Sequence, residues 1–151
     1  LLAEYVRGLE RPLLIGPDVE SEQWVAAVAR LVDAPYVVLE KTRLGDRDVR
    51  IRIPAIDVYP ERTPVLVDDI ISSARTMLTA LQGWPRGARR PVCLGIHAVF
   101  ADGAYEELLA AQPRAVVTTN TIEHPSNAID VTPLLAAEAR HPLGVDAPVG
   151  E

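Results

Sequence analysis

The chain has 151 residues, 48% hydrophobic and 24% charged, which suits one domain with a real core and excludes a disordered or fibrous chain. Its 15 Lys and Arg against 21 Asp and Glu leave a net charge of −6, which argues against a nucleic-acid partner, since phosphate neutralisation needs excess positive charge. No apolar run approaches the roughly 20 residues that cross a bilayer, and Cys93 has no second cysteine to pair with, so the expectation is a cytoplasmic protein without a membrane partner.

Aromatic residues are only 5%, so the core must be built from Val, Ile, Leu and Ala, as suits parallel strands covered on both faces by helices. Pro12-Leu13-Leu14-Ile15-Gly16, closed by the Gly16-Pro17 turn pair, predicts a buried strand. Trp24, Val25, Val28, Ala29 and Val32 then recur at helical spacing, with Ser21 or Asp18 to cap the helix and Trp24 in its core face. Tyr36 to Leu39 is a second strand. From Glu40 to Pro54 charged residues crowd together while Val49, Ile51 and Ile53 alternate with polar ones, which predicts an exposed, flexible charged hairpin.

Val65-Leu66-Val67 predicts a strand that ends at Asp68-Asp69, and Thr76 to Gln82 a helix stopped by Gly83 and Pro85. Strands over 92–97, 115–119 and 129–131 follow, with helices over 104–111 and 134–140, the last capped by Thr132 with Pro133 at its first position. This alternation predicts an α/β fold: a doubly wound, mostly parallel sheet of five or six strands flanked by helices. The domain is expected to span residues 1–141, with 142–151 a loosely structured tail. The absence of an initiating Met leads us to expect a piece of a longer protein.

In such a sheet ligands sit beyond the carboxyl ends of the strands, where strand order reverses. The polar residues that follow the strands concentrate in Asp68-Asp69-Ile70-Ile71-Ser72-Ser73-Ala74-Arg75-Thr76. The loop Ser72 to Thr76 offers consecutive backbone N–H groups and three hydroxyls at a helix start, a cradle for one phosphate. The two carboxylates suit either vicinal hydroxyls or a divalent cation shared with them. Phosphate at one end and a diol at the other describe a pentose 5-phosphate.

This stretch resembles the signature of type I phosphoribosyltransferase-like folds and, in detail, the ribose 5-phosphate loop of the ribose-phosphate pyrophosphokinases (phosphoribosyl pyrophosphate synthetases). Gly16-Pro17-Asp18, Lys41-Thr42-Arg43, Gly95 to Phe100, Val116 to Ile122 and Val131 to Ala136 resemble further blocks of that family in the same order. The resemblance covers roughly residues 12–140 and corresponds to the second of the family's two α/β halves. It implies transfer of diphosphate from ATP to the anomeric hydroxyl of ribose 5-phosphate, within a homo-oligomer. It assigns the sugar phosphate to Asp68, Asp69, Ser72, Ser73, Ala74, Arg75 and Thr76, catalysis to Lys41 and Arg43, and Mg²⁺ to Asp18. Alone, the chain is expected to bind ribose 5-phosphate with little turnover.

Two departures stand out. Arg75 occupies a position where the family has Gly, and it either obstructs the phosphate or adds a contact to it; Ser72 replaces an acid common in relatives. A phosphoribosyltransferase that consumes phosphoribosyl pyrophosphate, and a non-catalytic synthetase-like module, are the alternative readings. His97 reads as a near-core histidine, His124 and His141 as solvated in Pro-rich turns, and Cys93 as a small buried residue.

Overall fold

Alternating burial along short apolar strands dictates a sheet with helices on both faces, and the computed structural model has that arrangement. It describes the backbone of residues 1–43, 49–52 and 58–139, and the side chains of these except 41–43 and 49–52. In chain order the elements are α1 (Leu2–Arg7), β1 (Pro12–Gly16), α2 (Glu22–Leu31), β2 (Tyr36–Val38), β3 (Glu40–Arg43) and β4 (Val49–Arg52). They continue with β5 (Thr63–Ile71), α3 (Arg75–Gln82), β6 (Val92–Ala98), α4 (Ala104–Ala110), β7 (Ala115–Thr119), β8 (Asn127–Ile129) and α5 (Thr132–Ala139). The main sheet is parallel throughout, in the order β2-β1-β5-β6-β7-β8. β3 and β4 form a separate antiparallel ribbon, the predicted hairpin.

Period-two alternation divides the strand side chains between two cores. Leu13, Ile15, Leu66 and Cys93 face α3 and α4, against Met77, Leu81, Trp84 and Leu108. Leu14, Val65, Val67, Val92 and Leu94 face α1 and α2, against Val6, Val25 and Ala29. Each fully buried Val, Leu or Ile contributes about 1.5–3 kcal/mol, so these two layers fix the strand register. Trp24 packs at the edge of its core and is only half-buried. Burial pushes the Cys93 thiol up to about 12, which keeps it inert.

The structure corrects several boundaries. Helix α1 is additional to the predicted elements. Strand β8 is Asn127–Ile129, two residues earlier than expected, and α5 begins at Thr132 itself. β5 does not end at the aspartates but runs on to Ile71, because β6 continues to pair with it at Asp68↔Gly95, Ile70↔His97 and Ile71↔Ala98. Ile71 buries itself over Gly95, where a Cβ would lie 2.6 Å from its Cδ1 atom. The proposed tail falls outside the described residues.

Strand order now locates the crevice. The chain passes from β1 outward to β2, then returns to place β5 on the other side of β1. The order therefore reverses between β1 and β5, and the segments leaving those two strands must diverge there.

Candidate functional site

Asp18, just past the end of β1, and Asp68, inside β5, lie on neighbouring strands at this reversal. Ile15 pairs with Leu66, the last contact between β1 and β5. Beyond it, β5 keeps only its β6 partner, so its other edge is open where Asp68 and Asp69 stand.

Asp18 is fixed by local bonds. Its Oδ1 accepts from the Ser21 N–H at 3.0 Å, and its carbonyl accepts from the Ser21 hydroxyl at 2.6 Å. The second bond depends on Gly16, since a Cβ there would lie 2.7 Å from the Ser21 Oγ. Ser21 itself gives α2 no side-chain cap; Asp18 supplies the carboxylate that holds Ser21.

Asp68 and Asp69 accept from the next backbone N–H in turn, Asp68 Oδ1 from Asp69 at 3.0 Å and Asp69 Oδ1 from Ile70 at 2.8 Å. Burial pushes the Asp68 carboxyl up to about 6, opposed by the Asp69 N–H bond and reinforced by the negative charges of Asp69 and Asp18. The Asp18 contribution shows that the two strand ends share one electrostatic neighbourhood.

Past Ile71 the chain turns away from the sheet. The Ser72 carbonyl accepts from Ala101 N–H at 3.2 Å, which ties the turn to the segment after β6. Ala74 then takes a left-handed conformation, φ 53°, and its carbonyl accepts from Leu78 N–H at 2.8 Å as α3 begins. A cavity of about 120 Å³ opens between this bend and Asp68, lined by residues 70–77. It would hold about four waters at ~30 Å³ each, or one phosphate group. Among the described residues the hydroxyls of Ser72, Ser73 and Thr76 have no hydrogen-bond partner, and the Ser73 and Ala74 N–H groups donate to no backbone carbonyl. Free donors converging on a small concavity are what an oxyanion requires.

Arg75 does not fill that space. It is the first residue of α3, exposed, and it also borders a separate groove of about 450 Å³ beside Asp102 and Glu107. The position that demands glycine-like backbone is Ala74, one residue earlier, and alanine gives no sequence signal for it.

The ribbon that carries Lys41 and Arg43 starts next to this crevice: Leu39 N–H donates to the Gly16 carbonyl at 2.9 Å, and β3 begins one residue later. The side chains of Lys41 and Arg43 lie outside the described ones. Among the described residues no three His, Cys, Asp or Glu side chains cluster tightly enough to enclose a metal ion. Mg²⁺ rarely needs such a cage, binding through one or two carboxylates with water and substrate phosphates. Asp68, with the charges of Asp69 and Asp18 in its field, fits that mode of binding.

His124 is half-buried in an aromatic cluster rather than freely solvated. Its ring stacks on Phe100 at 4.6 Å, meets Tyr105 edge-on at 4.7 Å, and its Nδ1 lies 2.7 Å from Ser126 Oγ. His97 is half-buried, its Nδ1 2.8 Å from the Thr121 hydroxyl. His141 lies outside the described residues.

Residues 1–134 match the family model of the phosphoribosyl transferase domain. The chain belongs to that family. It is also similar to ribose-phosphate pyrophosphokinases: that of Sulfurisphaera tokodaii is 35% identical over 144 residues, covering 90% of this chain and 48% of the relative. That of Methanopyrus kandleri is 34% identical over 136 residues, covering 89% and 46%. The chain thus spans about half the length of the curated relatives it matches. Among solved structures, the phosphoribosylpyrophosphate synthetase of Mycobacterium smegmatis superposes with a TM-score of 0.70 at 24% identity, over 92% of this chain and 47% of that one. The adenine phosphoribosyl transferase of Trypanosoma brucei, solved with AMP, pyrophosphate and ribose-5-phosphate, gives 0.51 at 14% identity, over 87% and 62%. These two likenesses bear on the fold alone. No helix among the described residues is long and apolar enough to cross a membrane.

Proposed function

We propose that the chain is the ribose 5-phosphate-binding portion of a phosphoribosyl pyrophosphate synthetase, acting in the cytoplasm as part of a homo-oligomer. The observation that carries this reading is the open bend beside Asp68, with three unpartnered hydroxyls and unused N–H groups facing a phosphate-sized cavity. In this reading Ser72, Ser73, Ala74 and Thr76 hold the 5-phosphate and Arg75 adds its guanidinium from the rim. Asp68 and Asp69 accept from the ribose hydroxyls. The anomeric oxygen attacks the β-phosphorus of ATP, the bond to the α,β-bridging oxygen breaks, and AMP departs. Such transfers depend on positioning and charge stabilisation, and Lys41 and Arg43 supply positive charge to the transferring group. Mg²⁺, held by Asp18 together with the Asp68 carboxylate, would neutralise polyphosphate charge.

Relatives named pyrophosphokinases favour this reading over a transferase that consumes phosphoribosyl pyrophosphate. Calorimetric titration of the chain with ribose 5-phosphate, with and without Mg²⁺, tests the pocket. Saturable one-to-one binding is expected, and heat no greater than that of dilution would overturn it. Release of AMP from ATP and ribose 5-phosphate by the longest polypeptide carrying this sequence tests the chemistry; binding without AMP favours the non-catalytic module.

A further inference from the structure

The end of the sheet where the strands begin differs chemically from the end where Asp68 lies. Arg11, Arg62 and Arg114 directly precede β1, β5 and β7, and Arg86, Arg89 and Arg90 occupy the connection from α3 to β6. In a chain of net charge −6 this is a concentration of cations. Its field is felt at Glu10, whose carboxyl the bonded Arg89 holds below the usual range, with Arg11 and Arg114 adding to the effect. A cavity of about 280 Å³ opens here, lined by Tyr59, three prolines, and Arg62, Arg86 and Arg89.

Two of these arginines are held in place. Arg62 donates to the Pro12 carbonyl at 3.1 Å, and its guanidinium carbon lies 5.7 Å from the centre of the Tyr59 ring. Arg89 bonds Glu10 at 3.0 Å with Glu61 at 3.9 Å, and its carbonyl accepts from the Trp84 indole N–H at 3.0 Å. Arg86 is exposed and has no ion-pair partner among the described residues. The cavity therefore has pre-positioned cations, two guanidiniums (Arg62 and Arg86) without a carboxylate partner among the described residues, and stiff apolar walls. A pocket that combines such features suits a ligand with both a charged and a flat apolar part.

We infer that this cavity binds a small phosphate-bearing anion carrying a planar apolar group, at the opposite end of the sheet from Asp68. The phosphate pairs with Arg86 and with the N–H groups of Arg62 and Arg89 that face the cavity; the planar group lies against Tyr59 and the prolines. The inference does not depend on the function proposed above.

The test is a ¹⁵N-edited NMR titration of the chain with phenyl phosphate. Backbone amides of Tyr59 and of residues 86–89 should shift saturably, and phenol or NaCl at matched ionic strength should leave them in place. Inorganic phosphate should bind there more weakly than phenyl phosphate. Arg86→Ala, at an exposed and unpaired residue, should keep the rest of the spectrum and weaken this response roughly ten-fold, while any response at Ser72–Thr76 keeps its midpoint. Shifts that do not saturate, that NaCl reproduces, or that survive Arg86→Ala unchanged would overturn the inference. Equal binding of inorganic phosphate would remove the planar group from it.

Discussion

Two loops leave the carboxyl end of the same sheet and spend their polar groups in opposite ways. After β7, Asn127 donates to the Thr118 hydroxyl at 2.9 Å and to the Thr119 carbonyl at 2.6 Å, and accepts from His124 N–H at 2.9 Å. Thr118 and Ser126 share a buried hydroxyl pair at 2.8 Å, and Asn120 bridges Asp130 and Val131. That loop is closed upon itself. After β5, the Ser72, Ser73 and Thr76 hydroxyls bond nothing among the described residues, and Ala74 sits in a backbone conformation costly for a residue with a Cβ. Abundance of polar residues does not distinguish the two loops; the difference is whether folding has already used them. The unused set is what the proposed binding loop holds ready for a ligand.

Breaking each loop should therefore register in a different assay. Asp68→Asn removes a charged acceptor from the proposed ribose contacts, and hydrogen bonds to charged groups are worth about 1.5–3 kcal/mol. Affinity for ribose 5-phosphate should fall roughly 10- to 100-fold by calorimetry, with the fold retained. Unaltered affinity would remove Asp68 from the site. Asn127→Ala should do the reverse. It removes the bonds to the Thr118 hydroxyl, the Thr119 carbonyl and the His124 N–H, at a cost of about 2 kcal/mol in chemical denaturation, while ribose 5-phosphate affinity stays within about two-fold. A large affinity loss from Asn127→Ala would show that the closed loop also serves the ligand.

What could be read in advance follows the same division. The strands 12–16, 65–67, 92–97 and 115–119 were legible because apolar runs bounded by Gly, Pro and Asp admit few alternatives. Asp18, Asp68 and Asp69 were legible as polar residues that follow apolar runs. The continuation of β5 to Ile71 was not, because it depends on pairing with β6 and on the absence of a Cβ at Gly95, far away in the chain. His124 in its Pro-flanked turn gave no sign of Phe100 and Tyr105, which tertiary packing brings to it. The left-handed residue is Ala74 and not Arg75: which residue of a tight bend turns left-handed is decided by the closure of the bend, and alanine conceals it.

Ala74 and Arg75 should respond to glycine in opposite directions. A non-glycine residue in the left-handed region carries about 1–2 kcal/mol of strain, partly offset in a glycine variant by the greater freedom of the unfolded chain. Ala74→Gly should accordingly raise stability by about 1 kcal/mol in urea denaturation. Arg75→Gly, at a residue already helical, should lower it by a similar amount, since glycine is a poor helix former. Equal effects at both positions would place the demand for glycine elsewhere in the bend.

The smallest expected effect concerns the unliganded charge at Asp68. Burial pushes its carboxyl up to about 6 in the folded chain, against about 4 for an ordinary aspartate, so the folded state binds the extra proton between those limits. The stabilisation that this proton provides is complete below about pH 4 and is lost as pH rises through 6. An asparagine keeps the shape of the protonated acid and never ionises. Asp68→Asn should thus match the parent chain near pH 4 and become the more stable of the two toward pH 7, the gap opening across that window in thermal melts. Solvent reaches part of this carboxyl and screens it, which keeps the gap small. A gap of opposite sign would mean that the ionised form is the favoured one in the fold, and that cations or donors already compensate the cluster of Asp18, Asp68 and Asp69 before any ligand arrives.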